Sequence, residues 1–310
     1  MLSGINGMLA TEEIRTVRLT RLAHAFADTL DAADIPLATD YQLFFTLREV
    51  YKNPEGLYLR QKTPSVADYR RTRNLLVKAN KLARDSDYPG TYRILSKQDL
   101  SADEITCLVD PFCYISHLSA MQRYGLTDRR PEALHLTIPA NKIIKNLIQE
   151  KMERDYKGGL NSTPENEVHR LNIVHHPHIV RKRHLDIIST VNYGDHTQVR
   201  GSYTRISSIG QTFLDMLEEP QRCGGMAHVL DTWKEHAANY ISDIIAVVDK
   251  APKSIHKVRA GYILDEVMNI DKPEIMKWLD FAQRGGSRIL DPAKPFINNY
   301  SEKWMLSINV

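Results

Sequence analysis

The segment SVADYRRTRNLLVKANKL, residues 65–82, contains the strongest structural signal in the chain. Ser65 and Asp68 have the spacing of a variant capping box, which starts helices, and neither Gly nor Pro follows before Leu82. The spacing therefore predicts a helix over Ser65–Leu82. Its apolar side would consist of Tyr69, Thr72, Leu75, Leu76, Ala79 and Leu82. The opposite side would consist of Arg70, Arg71, Arg73, Asn74, Lys78 and Lys81.

The positive charge of the chain is concentrated around this helix. Residues Arg60–Arg84 hold eight basic side chains and one carboxylate, Asp68, which gives this window a charge of +7 in a chain of net charge +3. The rest of the chain therefore carries −4. A solvated surface helix usually mixes its charges, so that side chains four residues apart attract each other. The asymmetry favours a cationic surface that contacts nucleic-acid phosphates.

The neighbouring patterns predict the rest of a DNA-binding module. Amphipathic helices are expected over Val17–Asp34 and Thr39–Tyr51, the second opened by a capping box of Thr39 and Gln42. Downstream, residues 82–86 and 91–95 flank a turn with Pro and Gly, which predicts a β-hairpin. Three helices followed by a hairpin are typical of a winged helix-turn-helix.

The connection between the second and third helices, residues 52–64, is longer than in a simple helix-turn-helix. Within it, Leu57-Tyr58-Leu59 suggests a short strand that pairs with the hairpin.

In a winged module the third helix enters the major groove and the hairpin lies along the backbone or the minor groove. Guanidinium and amide groups can pair bidentately with guanine and adenine edges. The hairpin aromatics have a packing role as an equal alternative. The predicted DNA-contacting residues are Lys62, Arg70, Arg71, Arg73, Asn74, Lys78, Lys81, Arg84, Tyr88 and Arg93.

Length and composition indicate two cytoplasmic domains. A chain of 310 residues exceeds a comfortable single domain, and we expect a winged helix-turn-helix over 1–100 and a larger domain over 101–310. Residues 1–10 do not resemble a signal peptide, and the sequence contains no apolar run of membrane-spanning length. The cysteines Cys107, Cys113 and Cys223 lack the spacing of a disulfide framework or a zinc finger, and are expected to be reduced and buried.

The larger domain is predicted to be α+β. A strand is expected at residues 134–138, followed by two or three antiparallel strands over His178–Ile206, and residues 304–308 are expected to return to the same sheet. The predicted helices are Ser101–Val109, Tyr114–Tyr124, Ser208–Leu217, Met226–Tyr240, Ile255–Met268 and Pro273–Ala282.

Two blocks of this domain resemble a known family. The first is YISHLSA at residues 114–120, which ends in YGLT at residues 124–127. The second is RISS at residues 205–208, followed by TFLD at 212–215 and CGG at 223–225. Both blocks are similar to the AbiEi-type antitoxins of the type IV, abortive-infection toxin–antitoxin systems. Trp304 and Asn309 also match the end of that family's sequence pattern.

The resemblance implies a DNA-binding autorepressor and antitoxin. Such a protein binds operator repeats of its own operon and counters a nucleotidyltransferase toxin without forming a stable complex with it. The sequence departs from the family pattern at Gln211, where Glu is expected, although Gln can also fill a capping role. The block residues have a structural interpretation as well: Ser208 caps a helix, and Gly224-Gly225 allows a tight turn.

Other motifs do not change this prediction. A metal site is suggested by the histidine tract His175-His176-Pro177-His178 together with His184, but neither an HExxH motif nor a cysteine pair accompanies it. The adjacent basic residues 181–183 favour contact with nucleic acid or an acidic partner at least as much as metal binding. Phosphate-binding and nucleophile motifs are absent, and Glu165 and Glu167 are expected in a solvated loop. We therefore predict no enzyme activity, no metal and no cofactor, with a metal-dependent nuclease that has a winged-helix targeting domain as the alternative.

Overall fold

The computed structural model describes residues 17–285 and 288–310. These residues form two compact units. Unit 1 contains the chain up to Asp99 together with Gly159–Arg170, and unit 2 contains Leu100–Gly158 and Leu171–Val310. We call Gly159–Arg170 the strap. The sequence analysis placed the strap in the second domain, and the structure corrects that assignment, because side chains of the strap pack on unit 1.

Unit 1 contains three helices and a three-stranded antiparallel sheet. The helices are α1 (Arg21–Ala32), α2 (Asp40–Lys52) and α3 (Val66–Lys78). The strands are β1 (Leu37–Thr39), β2 (Leu82–Arg84) and β3 (Thr91–Ile94), in the order β1-β3-β2. The predicted hairpin forms from β2 and β3, with Leu82 opposite Ile94, and β1 pairs with β3 through Leu37 and Arg93.

Local hydrogen bonds explain where these helices begin. The hydroxyl of Thr39 accepts a hydrogen bond from the Gln42 N–H at 3.2 Å, and the Gln42 side chain accepts one from the Thr39 N–H at 2.8 Å, which confirms the predicted capping box. Ser65 Oγ accepts from the Asp68 N–H at 3.1 Å at the start of α3. Both caps satisfy N–H groups that a helix leaves unpaired in its first turn.

Two expectations for unit 1 are wrong. Helix α3 ends before Leu82, because Asn80 takes a left-handed backbone conformation with φ of 53° and Leu82 begins β2. Residues 57–59 form no strand, and β1 occupies the edge of the sheet instead. The Tyr58 side chain is 91% exposed and lies under the Arg21 guanidinium, so this part of the connection remains on the surface.

The strap contributes a ring to the aromatic core of unit 1. The imidazole of His169 lies 5.4 Å from the Phe44 ring and 5.4 Å from the Tyr69 ring, measured between centroids, and Tyr41 is 6.5 Å away. Glu167 accepts a hydrogen bond from the Thr63 hydroxyl, so it is not in a purely solvated loop as predicted. The strap is thus part of the packing that supports α3.

Unit 2 is built on a six-stranded mixed sheet, and with its helices it is an α+β structure. The strands are β4 (Tyr114–Ile115), β5 (Ala133–Pro139), β6 (Ile179–Val180), β7 (Arg183–Thr190), β8 (His196–Gln198) and β9 (Arg205–Ser207). Their order is β6-β7-β5-β4-β9-β8. The pairs β6–β7 and β8–β9 are antiparallel, as predicted for His178–Ile206, although this segment contributes four strands rather than two or three. The pairs β5–β7 and β4–β9, which join these strands to the rest of the sheet, are parallel. A parallel pair needs a long crossover, and the connection from β5 to β7 contains a helix that the sequence analysis missed, α6 (Asn141–Asp155).

Besides α6, the helices of unit 2 are α4 (Ala102–Val109), α5 (His117–Arg123), α7 (Ile209–Glu218), α8 (Met226–His236), α9 (Ile241–Val248), α10 (Ser254–Tyr262) and α11 (Pro273–Met276). Except for α4 and α6, these helices enclose a core around the three tryptophans. The core contains Trp233, Trp278 and Trp304. Helix α9 was not predicted, and Tyr114 and Ile115 are strand rather than helix.

The C-terminal segment does not return to the six-stranded sheet. Instead, β11 (Leu306–Ser307) pairs with β10 (Tyr300–Ser301) in a separate two-stranded sheet. Among the described residues, no helix has the length and apolar character needed to cross a bilayer.

Candidate nucleic-acid interface

Helix α3 presents a continuous cationic face to solvent. Tyr69, Thr72 and Leu76 are buried against unit 1, whereas Arg70, Arg71, Asn74, Lys78 and Lys81 are exposed. We call these five exposed residues the cationic face. Residues three or four positions apart lie on the same side of a helix, so the four that belong to α3 form one stripe along it.

Acidic side chains do little to neutralise this face. Arg71 lies 3.5 Å from Asp68, but its side chain is 79% exposed, and such surface pairs contribute about 0–1 kcal/mol. Within residues 17–285 and 288–310, Arg70 and Lys78 take part in no ion pair. The like charges of the cationic face therefore remain available to an anionic ligand.

Arg73 is a correction to the predicted contact set. Its guanidinium pairs with the Asp40 carboxylate at the start of α2, and only 13% of its side chain is exposed. It also lies over the rings of Tyr92 and Tyr69, at 5.1 and 5.5 Å from their centroids. Burial opposes its charge, but the hydrogen bond and the negative charge of Asp40 outweigh burial and raise the pKa of Arg73. Arg73 therefore holds α3 to the sheet.

Tyr88 is the second correction. Its side chain is 2% exposed, and its backbone N–H donates to Asp85 Oδ1 at 3.0 Å within the hairpin turn. A ring that is this deeply packed cannot contact DNA, and Tyr88 supports the turn instead. The packing alternative, which the sequence analysis left open for the hairpin aromatics, is the correct one at this position.

The remaining predicted residues surround the cationic face in unit 1. Lys62 precedes α3, and Arg84 lies at the end of β2; both are exposed. The side chain of Arg93 on β3 is 40% exposed and lies 3.7 Å from Asp99. Asn74 accepts hydrogen bonds from Arg73 at 2.9 and 3.3 Å through Oδ1, so the amide of Asn74 is oriented.

Sequence reasoning missed a cleft beside the cationic face. The cleft has a volume of about 340 Å³ and separates the start of α1 from α3; it is lined by Thr20, Arg71, Thr72, Asn74, Leu75 and Lys78. Arg18 and Arg21 are exposed near the N-terminus of α1, where unpaired N–H groups favour phosphate. Thr20, which can cap a helix, was the signal in the sequence for the start of α1. Arg18 and Arg21 lie beside it and fall outside the basic window Arg60–Arg84.

In unit 2 the two family-like blocks form one folded nucleus. Ile115 of β4 pairs with Ile206 of β9, and the Tyr124 hydroxyl donates to the Ser207 carbonyl at 2.9 Å. Ser208 caps α7 by accepting from the Gln211 N–H at 3.2 Å, as predicted. Gln211, however, donates its side-chain amide to Asp215 at 2.8 Å rather than completing a capping box.

The glycines of the second block allow a tight turn, as the structural interpretation expected. Gly224 and Gly225 have φ of 91° and 90°, values that residues with a Cβ rarely adopt. The carbonyl of Gly224 accepts from Arg129 at 2.9 Å, which connects this turn to the end of the first block.

A serine–histidine–aspartate line in unit 2 has a structural rather than catalytic arrangement. Ser119 Oγ lies 3.2 Å from His135 Nδ1, and His135 Nε2 lies 3.5 Å from Asp186, which pairs with Arg222. Ser119 is only 5% exposed, and its oxygen already accepts from the His135 backbone N–H at 3.0 Å. A nucleophile must reach its substrate, and this hydroxyl is enclosed.

The histidine tract does not converge on one point. His175, His178 and His184 are exposed, whereas His176 is directed toward Asp110, with 2.9 Å between Nε2 and Oδ2.

Comparisons with known proteins add little to this geometry. No family model matches the chain, and no curated protein matches it. Among solved structures, the crystal structure of the RV2827C protein from Mycobacterium tuberculosis aligns with a TM-score of 0.46 and 12% sequence identity, covering 93% of this chain and 92% of that chain. Similarity at this level shows neither a common fold nor a common function.

Proposed function

We propose that unit 1 is a winged helix-turn-helix domain that binds double-stranded DNA. Helix α3 is the recognition helix in this proposal, and the hairpin of β2 and β3 is the wing. The observation that carries the proposal is the exposure of Arg70, Arg71 and Lys78 along one stripe of α3, opposite the packed Tyr69 and Leu76. A stripe of exposed like charges costs stability, which a phosphate-binding role would explain.

The dimensions of α3 suit this role. Its 13 residues span about 20 Å, and the major groove, about 12 Å wide, admits a helix. The order of elements in unit 1, with two helices before α3 and a hairpin after it, also supports the proposal.

The proposed contacts divide into two groups. Arg70, Arg71 and Asn74 carry the planar groups that read base edges, so we assign them to sequence recognition. The others bind phosphates and position the protein without reading sequence; they are Lys62, Lys78, Lys81, Arg84 and Arg93. Arg18 and Arg21 join the second group because they flank the cleft at the start of α1.

We further propose that the chain is a non-catalytic autorepressor and antitoxin of a type IV system. Its DNA target would be operator repeats of its own operon, and its counterpart a nucleotidyltransferase toxin with which it forms no stable complex. Support comes from the resemblance to AbiEi-type antitoxins and from the way both family-like blocks contribute to one nucleus, through Ile115, Ile206 and the Tyr124–Ser207 hydrogen bond.

The deciding experiment is a binding titration of the full chain on DNA from upstream of its own gene. A scrambled duplex of equal length and composition serves as the control. We expect tighter binding to the upstream DNA, and affinity that falls with a log–log salt slope of about −0.9 for each phosphate contact. Equal affinity for the two duplexes, or no binding at low salt, would contradict the proposal. Magnesium-dependent cleavage of either duplex would contradict the non-catalytic assignment.

The antitoxin role needs its own test. The proposal expects a nucleotidyltransferase gene beside the gene for this chain. Co-expression of the two proteins should then restore growth that the nucleotidyltransferase alone inhibits, and the two proteins should elute separately in size-exclusion chromatography. Restored growth through a stable complex would contradict the proposed mode of action.

A further inference from the structure

Three potential metal ligands meet inside unit 2, away from the cationic face. Asp110 follows α4, Cys113 precedes β4, and His176 belongs to the segment that leads from the strap to β6. Their ligand atoms all lie within 4.8 Å of one another. The side chains of His176 and Asp110 are 2% and 8% exposed, and Cys113 is fully buried.

The three donors have the chemistry of a zinc site. Zinc binds thiolate sulfur, imidazole nitrogen and carboxylate oxygen at about 2.0–2.3 Å, which places tetrahedral ligand atoms about 3.3–3.8 Å apart. His176 Nε2 and Asp110 Oδ2 are 2.9 Å apart, so small side-chain shifts would open the site to an ion. The Cys113 Sγ lies 3.5 Å from the backbone carbonyl oxygens of Thr106 and Asp110, which holds the sulfur beside the His–Asp pair.

The surrounding groups orient these ligands. Asp110 Oδ1 accepts from the Phe112 N–H at 2.8 Å, which directs Oδ2 toward His176. The Arg205 guanidinium lies 4.0 Å from Cys113 Sγ and donates to the backbone carbonyl of Cys113 at 2.9 Å. Arg205 also contacts Cys107, whose Sγ accepts from the Arg205 backbone N–H at 3.3 Å.

We propose that Asp110, Cys113 and His176 bind one zinc ion. Residues 168–177 form no helix or strand, so side-chain contacts must determine where this segment lies. An ion bound at His176 would fix the segment to the end of α4. The site therefore has a structural role, independent of the DNA-binding proposal, and it uses only one residue of the histidine tract.

Metal binding by the reduced full chain tests the proposal. After removal of bound metal with a chelator, the protein is titrated with Zn²⁺, and separately with Co²⁺, whose thiolate complexes absorb light by charge transfer. We expect one ion per chain and a thiolate–cobalt band. If neither ion binds at one equivalent, or if cobalt binds without the thiolate band, the proposal is overturned.

Variants locate the site. Cys113→Ser should abolish the thiolate–cobalt band, and His176→Gln should weaken Zn²⁺ binding roughly tenfold or more. Cys223→Ser is the matched control, because Cys223 is a buried cysteine in the tryptophan core. Asp110→Asn keeps Oδ1 as an acceptor for Phe112 and is the variant to use if the others fail to fold. An unchanged Zn²⁺ affinity in Asp110→Asn, with wild-type circular dichroism, would overturn the assignment of this ligand set.

Discussion

The guanidinium of Arg73 pairs with the carboxylate of Asp40, which also accepts the hydroxyl of Tyr69. One carboxylate thus receives two side chains from successive turns of α3 at the point where α2 begins. The backbone N–H of Asp40 donates to the Gly90 carbonyl at 2.9 Å, so the same residue also contacts the hairpin. Asp40 joins three elements of unit 1, and Arg73 differs in role from the exposed arginines beside it.

Replacement of Arg73 should therefore reduce stability. Arg73→Ala leaves the partly buried Asp40 without its cation, and we expect a loss of about 3 kcal/mol in the free energy of unfolding. Urea denaturation measures the change. Arg70→Ala is the matched control, because Arg70 is exposed and should change stability by less than about 0.5 kcal/mol. Equal losses in the two variants would contradict the role assigned to Arg73.

Replacement of the exposed residues should instead reduce DNA affinity. Arg70→Ala or Arg71→Ala should cost about 1–3 kcal/mol on the specific duplex if the side chain reads a base, with little change on a scrambled duplex. Lys81→Ala should weaken both to a similar extent. Lys142→Ala, an exposed lysine of α6, controls for the loss of one charge elsewhere. Fluorescence anisotropy at fixed salt distinguishes these outcomes, and an Arg70 or Arg71 variant that matches Lys142→Ala would remove that residue from the interface.

Local patterns predicted the three helices and the hairpin of unit 1, because caps and hairpin turns depend on neighbouring residues such as Thr39 with Gln42. They did not predict β1, which pairs with a strand more than 50 residues away. The inward direction of Arg73 depends on Asp40, 33 positions away, which a local pattern does not contain. The helical wheel does contain a signal for the burial of Arg73. At 100° per residue Arg73 lies about 40° from Tyr69, at the margin of the buried side, whereas Asn74 lies about 140° from Tyr69.

The strand partners in unit 2 and the placement of the strap depend on contacts between residues that are far apart in the sequence. Ile115 pairs with Ile206, and His169 packs on Phe44; neither contact has a signature within either segment. The pairing of β4 with β9 could not be distinguished from an antiparallel alternative by composition, because the two strands have only two and three residues. For the same reason the convergence of Asp110, Cys113 and His176 was not visible in the sequence.

His169 should make the stability of unit 1 depend on pH. Burial lowers the pKa of His169, and the positive charges of Arg70 and Arg73 also disfavour its protonation. Its neutral ring therefore contributes stability that is present above the ordinary histidine pKa of about 6.5 and is lost as pH falls. His169→Phe keeps an aromatic ring and should remove this dependence. Hydrogen exchange of α3 between pH 7 and pH 5 tests it, since all three tryptophans lie in unit 2 and report on that unit instead. If acidification reduces the hydrogen-exchange protection of α3 equally in the wild-type protein and in His169→Phe, this role is contradicted.

Asp215 should have the opposite effect in unit 2. Complete burial raises its pKa to about 7, Glu218 adds to the rise, and the hydrogen bond from Gln211 opposes it. A carboxyl whose pKa is raised on folding contributes stability that is present below about pH 4 and is lost as pH rises toward 7. The wild-type protein should therefore lose about 2–4 kcal/mol across this range relative to Asp215→Asn. Urea denaturation followed by tryptophan fluorescence measures the difference between the two proteins, and a pH-independent difference would contradict the assignment.

The strap determines how the chain can be divided for study. A fragment cut after Asp99 would keep every residue of the cationic face but would lose His169, and the rings of Phe44 and Tyr69 would be uncovered on the side that supports α3. Weak DNA binding by such a truncated fragment would report on a damaged scaffold, not on the recognition helix. A faithful minimal fragment must carry Gly159–Arg170 as well, for example rejoined to Asp99 through a flexible linker.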